Sequence, residues 1–239
     1  MIYDELWPGG PRFTRREGAF KVGTDSVLLA HFTDGSRARL ACDLGCGGGV
    51  LPVLLCLRHP ELTFHGVELN GEAVAVAREN ATLNGIEKAF QLFHQDLRET
   101  ALEAGAYDLV VANPPYFRAG SGRPAADPKM AAARDEQNAT LSDICNVAAR
   151  LLRWGGRMTM VQRPQRLSEV FCAMNKRGIE PKRLRLVLPR AGAAPNLILV
   201  EGRRGGGPGL SIDVPLVLYG EGGGESEEVR RLYHRGKGC

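Results

Sequence analysis

Asn113-Pro114-Pro115-Tyr116 is the stretch of this sequence best suited to chemistry. Two consecutive prolines are stiff and lack backbone N–H donors, so the carbonyl of Pro114 is held outward. With the Asn113 side-chain oxygen it makes two fixed acceptors, which suit both hydrogens of a planar NH2 group. An aromatic ring at Tyr116 can stack on the heterocycle that carries the NH2. Such an amine is a poor nucleophile because its lone pair is delocalised. Binding both hydrogens from one side favours rehybridisation and aims the lone pair at an electrophile. The amine becomes acidic once alkylated and can lose its proton to water, so no strong base is required. Catalysis is then mainly orientation, worth ~7–11 kcal/mol at best. The competing account is an ordinary Pro-Pro turn.

A second constellation lies upstream. Asp43-Leu44-Gly45-Cys46-Gly47-Gly48-Gly49 places glycines at 45, 47 and 49, where the backbone can turn sharply and approach a ligand. The spacing is GxGxG; a GxGxxG dinucleotide fingerprint needs glycine at position 50, which is Val50. Glu68 follows at the end of the next β-rich segment, where an acid accepts hydrogen bonds from the two ribose hydroxyls of an adenosine ligand. Asp96 can bond the exocyclic amine of that ligand's adenine, and the neighbours Leu69 and Leu97 count as contacts to the same ligand. For Glu68, the competing account is a helix-cap acid ahead of Asn70.

Alternating elements must position these residues. Residues 40–44, 63–69, 90–94, 107–112 and 157–162 read as strands. Helices are expected over 50–57, then from an Asn70 cap along Ala73, Val76, Ala77, Ala81 and Leu83 to Gly85. Further helices are expected over 141–154, stopped by Gly155-Gly156, and from Pro164 to about Gly178. Residues 183–188 and 197–201 read as a final strand pair. Strand–helix alternation from 40 to about 178 implies an α/β fold with a doubly wound, mostly parallel sheet. The turn, Glu68, Asp96 and Asn113 then sit at successive strand ends and converge on one crevice. The polar stretch 118–138 is a long loop at the same rim.

Composition agrees with a globular chain: 239 residues, 44% hydrophobic, 24% charged and a formal charge of +4. No apolar run approaches the ~20 residues of a membrane span. The N-terminus lacks a signal-peptide pattern, so a cytoplasmic protein is expected. Cys42, Cys46, Cys56, Cys145, Cys172 and Cys239 form no CxxC pair; buried free thiols are expected and no metal site. Charge is uneven: residues 150–190 carry 11 basic and 2 acidic side chains, net +9. Either a polyanion partner or a solvated Arg-rich face accounts for this. Candidate phosphate contacts are Arg163, Arg183 and Arg185 in that segment and Arg118, Arg123, Lys129 and Arg134 in the long loop, beside Pro115. Charge reversal at Arg183 and Arg185 is expected to weaken binding of such a polyanion and lower its salt dependence.

These motifs resemble the class I S-adenosylmethionine-dependent methyltransferases of the NPPY, amino-modifying group. The resemblance takes in Lys21 to Leu29, Asp43 to Gly49, Val67-Glu68-Leu69, Asn113 to Tyr116 and Ala133-Arg134. It continues through Arg163 to Leu167, Glu180 to Leu184, Asn196 to Glu201 and Pro215 to Tyr219. Within the group, the chain resembles the bacterial family that methylates the N6 amine of adenine beside the anticodon of a valine tRNA. The resemblance implies a seven-stranded Rossmann-like sheet with an antiparallel edge strand, and S-adenosylmethionine as cofactor. It divides the chain into an N-terminal segment covering the cofactor (1–38), the methyltransferase domain (39–203) and a C-terminal extension (204–239). Gly23, Thr24 and Asp25 would close over the methionine end. Asn113, Pro114 and Tyr116 would hold the adenine, with Asn113 also beside the cofactor. The chain departs from the pattern at Asp135, where histidine is expected, and at Gly222-Gly223-Gly224, where an aromatic is expected.

The same tetrapeptide serves ribosomal RNA and DNA amines and protein glutamines, whose amide is also a delocalised NH2. These acceptors, and a methyltransferase-like module that holds RNA without chemistry, stay open alternatives. A nicotinamide dehydrogenase is disfavoured by the glycine spacing. A monomer and a homodimer are both compatible with the residues.

Overall fold

The structure is a computed structural model that describes residues 2–15, 22–114 and 139–234. A short hairpin, β1 (Tyr3–Glu5) and β2 (Arg12–Thr14), precedes α1 (Thr24–Phe32). The alternating core follows: β3 (Leu40–Leu44), α2 (Val50–Arg58), β4 (Thr63–Glu68), α3 (Gly71–Leu83), β5 (Phe90–His94) and β6 (Tyr107–Ala112). After the long connection come α4 (Leu141–Leu151), β7 (Leu152–Gln162), α5 (Leu167–Asn175), β8 (Ile179–Leu188) and β9 (Leu197–Arg204). Two short strands, β10 (Ser211–Ile212) and β11 (Leu216–Val217), and helix α6 (Glu227–Leu232) complete the described chain.

The main sheet runs β10-β8-β9-β7-β6-β3-β4-β5, with β11 also paired to β8. Seven long strands make the expected mostly parallel sheet. The antiparallel member, β9, lies toward one edge, between β7 and β8. From β3 the chain steps outward to β4 and β5, then returns to place β6 on the other side of β3. The crevice between the carboxyl ends of β3 and β6 is therefore the topological switch point.

Apolar residues on both faces of the strands dictate the layers. In β6, Leu109 and Val111 join the cluster under α1, α2 and α3. Val110 and Ala112 join the cluster under α4 and α5. All four are fully buried, as a strand covered on both sides requires. Burial of each Leu or Val among them is worth about 1.5–3 kcal/mol. Local signals set the helix starts. Asn70 accepts from the backbone N–H of Glu72 and Ala73, and Thr140 with Asp143 forms a reciprocal capping box on α4. Pro52 is tolerated because it falls in the first turn of α2.

Several boundaries differ from expectation. Strand β8 begins at Ile179 rather than 183, and β9 runs to Arg204 rather than 201. Helix α4 stops at Leu151 rather than 154, and residues 152–156 join β7 as a bulge. Between the pairs Tyr107–Leu152 and Leu109–Arg157, β6 advances two residues while β7 advances five. Gly155 takes φ +82° there, so the Gly-Gly pair makes a strand irregularity and leaves Trp154 outside. The helix beginning at Pro164 is one 3-10 turn, Pro164–Arg166, followed by α5, which ends at Asn175. Leu83 is only partly buried at the end of α3, while Asn80 takes a buried position on that helix. Of the cysteines, 42, 46, 56 and 145 are buried and free, whereas Cys172 is exposed; Cys239 lies outside the described residues.

Candidate active site

The glycine turn joins β3 to α2 beneath a carboxylate pair. Glu68 Oε2 accepts from the Gly47 N–H at 2.8 Å and Oε1 from the Asn70 N–H at 2.8 Å. The acid thus braces the turn and caps the start of α3, as the helix-cap account of Glu68 expects. Gly45 and Cys46 donate to the Val67 carbonyl. Gly45 has φ +78° and open space where a Cβ would stand. At Gly49 a Cβ would come within 2.8 Å of the Phe90 ring, so the turn approaches the sheet as closely as only glycine allows.

Asp43 is fully buried, and its Oδ1 has no hydrogen-bond partner. Burial, reinforced by the negative charge of Glu68, raises its carboxyl well above the usual range. A buried, unsatisfied carboxylate oxygen is costly unless a donor reaches it. It stands beside a glycine turn, so these residues fit a ligand that brings hydrogen-bond donors or positive charge. They are the groups that would hold the amino-acid and ribose parts of S-adenosylmethionine. Burial, followed by the charge of Asp43, raises the Cys46 thiol, which stays protonated in the same turn.

On the other side of the switch point, Asn113 extends from β6 and is partly buried. Its Nδ2 donates to Ser26 Oγ of α1 at 3.0 Å. The bond fixes the amide plane, and among the described residues the amide oxygen has no hydrogen-bond partner. Ser26 also brings the first turn of α1, with Gly23, Thr24 and Asp25, next to Asn113. Thr24 and Asp25 line a cleft of about 240 Å³ with Arg163, Asn196 and Tyr219. Pro114 is buried behind Asn113. Pro115, Tyr116, Arg118, Arg123, Lys129, Arg134 and Asp135 lie outside the described residues.

Other expected contacts are engaged within the chain. Asp96 caps the turn Leu97–Glu99 and pairs with Arg98, whose hydrogen bond is the main force holding the carboxyl below its ordinary range. Leu97 is partly buried, and Leu69 is exposed at the end of β4. Arg183 donates to the Phe32 carbonyl, stacks 3.9 Å from the Phe32 ring centroid and pairs with Asp213 at 3.2 Å. Arg185 pairs with Glu228 at 2.7 Å and donates to the Val214 carbonyl. Arg163 donates to the Asn196 carbonyl yet remains at the rim of the 240 Å³ cleft. Much of the +9 segment is thus neutralised by partners far away in the chain.

Two positioning residues were missed from sequence. Ser26 looks like any small polar residue until α1 meets β6. Asn80 was hidden in an apolar helical period; its Oδ1 accepts from Thr14 N at 2.8 Å and its Nδ2 donates to Gly48 O at 2.8 Å. It ties the N-terminal hairpin to the glycine turn. Its departure from the apolar pattern of α3 was the available signal.

The sequence profile of the Methyltransferase small domain family matches residues 16–176. The chain belongs to that family. Among relatives of this methyltransferase, the tRNA1(Val) (adenine(37)-N6)-methyltransferase of Aeromonas hydrophila is 31% identical over 188 residues, 78% of either chain. The enzyme of the same name from Tolumonas auensis is 32% identical over 183 residues, 76% of either chain. A predicted O-methyltransferase from Agrobacterium tumefaciens superposes with a TM-score of 0.72, covering 88% of this chain and 96% of its own at 20% identity, and shares the fold. No described helix of this methyltransferase is long and apolar enough to cross a membrane. No group of three or more candidate metal-ligating side chains occurs among its described residues.

Proposed function

We propose that this methyltransferase transfers the methyl group of S-adenosylmethionine to the exocyclic N6 amine of an adenine in tRNA, the adenine beside the anticodon of a valine tRNA. The observation that carries this reading is Asn113: Ser26 holds its amide at the switch point, one strand away from the Asp43–Glu68 turn, and its oxygen has no partner among the described residues. The names of the relatives support the RNA and the atom.

The bound cofactor supplies an electrophilic methyl carbon on a sulfonium. Asp43, Glu68 and the 45–49 turn would hold it at the ends of β3 and β4. Asn113 Oδ1 and the Pro114 carbonyl would accept the two N6 hydrogens and so localise the lone pair on the amine nitrogen. Tyr116 stacks on the adenine. The N6 proton leaves to water after transfer. A base in folded RNA must first be unstacked, at a cost of a few kcal/mol, less for a loop nucleotide. Arg163, beside the cleft, and Arg118, Arg123, Lys129 and Arg134 of the connecting segment are assigned to phosphates.

The test is transfer of labelled methyl groups to total tRNA, ribosomal RNA and release factor, followed by nucleoside mass spectrometry. N6-methyladenosine in the valine tRNA fraction is the expected product. Label confined to ribosomal RNA or to protein overturns the tRNA assignment. Absence of S-adenosylmethionine binding by titration calorimetry overturns the enzyme reading.

A further inference from the structure

The end of the sheet opposite the candidate active site carries an unusual surface. Trp154 projects from the β7 bulge and is 76% exposed. Its indole is nevertheless seated: a Cβ on Gly205 would come within 2.3 Å of two ring atoms, so the ring lies against that glycine backbone. One face is supported and most of the ring meets solvent. Beside it opens a cleft of about 410 Å³ whose basic lining is Arg37, Arg153, Arg157, Lys182 and Arg203. Two acids of the cleft are answered: Asp108 takes Arg153 and Asp34 takes Arg157. The third, Glu201, stands 3.9 Å from Arg157 with an oxygen that makes no hydrogen bond. Lys182 donates to the carbonyls of Gly207 and Pro208. Five cations against three acids leave a positive surplus, with Arg37 and Arg203 exposed.

A supported, solvent-facing indole among surplus guanidiniums is the chemistry that receives a stacked base and its phosphates. We propose that this surface is a second RNA contact, with an unpaired base on Trp154 and flanking phosphates on Arg203 and Arg37. The inference rests on the RNA reading above and extends it. Asp108 and Asn113 lie five residues apart along β6, a span of about 17 Å. The strand between them is buried, so an RNA that occupies the crevice and this surface together passes around the outside of the sheet and is longer than that straight span. The contact adds affinity and no chemistry.

Methylation kinetics on full-length tRNA test it. Trp154→Ala raises KM about 5- to 100-fold and leaves kcat at saturation unchanged. Trp154→Phe, which keeps a stacking ring, recovers most of the loss. Arg203→Glu lowers the slope of log affinity against log salt by about one. In a Trp7→Phe background, RNA quenches Trp154 fluorescence. Methylation with unchanged KM in Trp154→Ala and no quenching overturns this proposal and leaves the function standing. Quenching without methylation of any RNA overturns the function and keeps the contact. Trp154→Ala that alters only self-association assigns the surface to a protein interface and overturns the proposal.

Discussion

At the β3–β4 end of the sheet, each functional carboxylate answers to its own turn. Glu68 reaches back 21 residues to Gly47 and forward two to Asn70, and Asp43 keeps a free oxygen at the same corner. At the β7–β8–β9 end, Arg157 reaches Asp34 across 123 residues and Arg183 reaches Phe32 across 151. The first region gathers its carboxylates around one glycine turn. The second uses most of its charges to fasten α1, β10 and α6 to the sheet and leaves Arg37 and Arg203 exposed beside Trp154. Charge density in the sequence therefore says little about where a polyanion docks; the cations left over after folding say more.

The sharpest way to break this contrast is Asn113→Ala, for which kcat is expected to fall about 10²–10³-fold. Cofactor affinity should stay within a few-fold, and full activity would remove the proposed mechanism. Asp43→Asn comes next, with cofactor affinity falling about 10- to 100-fold in titration calorimetry. Its effect on the empty protein has the opposite sign. The native carboxyl holds its proton to higher pH than the unfolded one, so the native state binds more protons in that interval and stability falls as pH rises through it. Removing the charge should raise the neutral-pH Tm of the cofactor-free protein by a few degrees. A lower Tm would mean that Asp43 serves the fold rather than the ligand.

Ser26→Ala frees the Asn113 amide, and kcat should drop about 2- to 10-fold with cofactor affinity unchanged. Ser26→Thr, which retains the hydroxyl, should recover part of it. Arg183→Glu is the smallest. Loss of its ion pair and ring contact should lower Tm by about 2–4 °C while the salt slope of RNA binding stays put. This reverses the expectation from sequence; a slope reduced by about one would return Arg183 to the RNA surface.

Legibility followed distance along the chain. The Asp43–Gly49 turn, Glu68 and the Asn70 cap are strand–turn–helix signals spelled out within a few residues, and they stand where expected. The end of α4 was misjudged because Gly155-Gly156 reads equally as a helix stop and a strand bulge; only pairing with β6 decides. Ser26 and Asn80 act through contacts 87 and 66 residues away, which no local pattern encodes. Net charge alone marks Arg183 and Arg185 as candidate phosphate contacts; it does not show that Asp213 and Glu228, farther along the chain, fold back onto them.

The placement of β9 governs the order of assembly. Strand β8 is synthesised before β9 yet lies outside it, and its long partner in the sheet is β9. As the nascent chain emerges, β7 must keep an open edge while β8 waits, until residues 197–204 slot between them. A truncation before residue 197 would strand that edge and invite pairing with another chain. The last long strand made is thus the keystone of the barrier against aggregation.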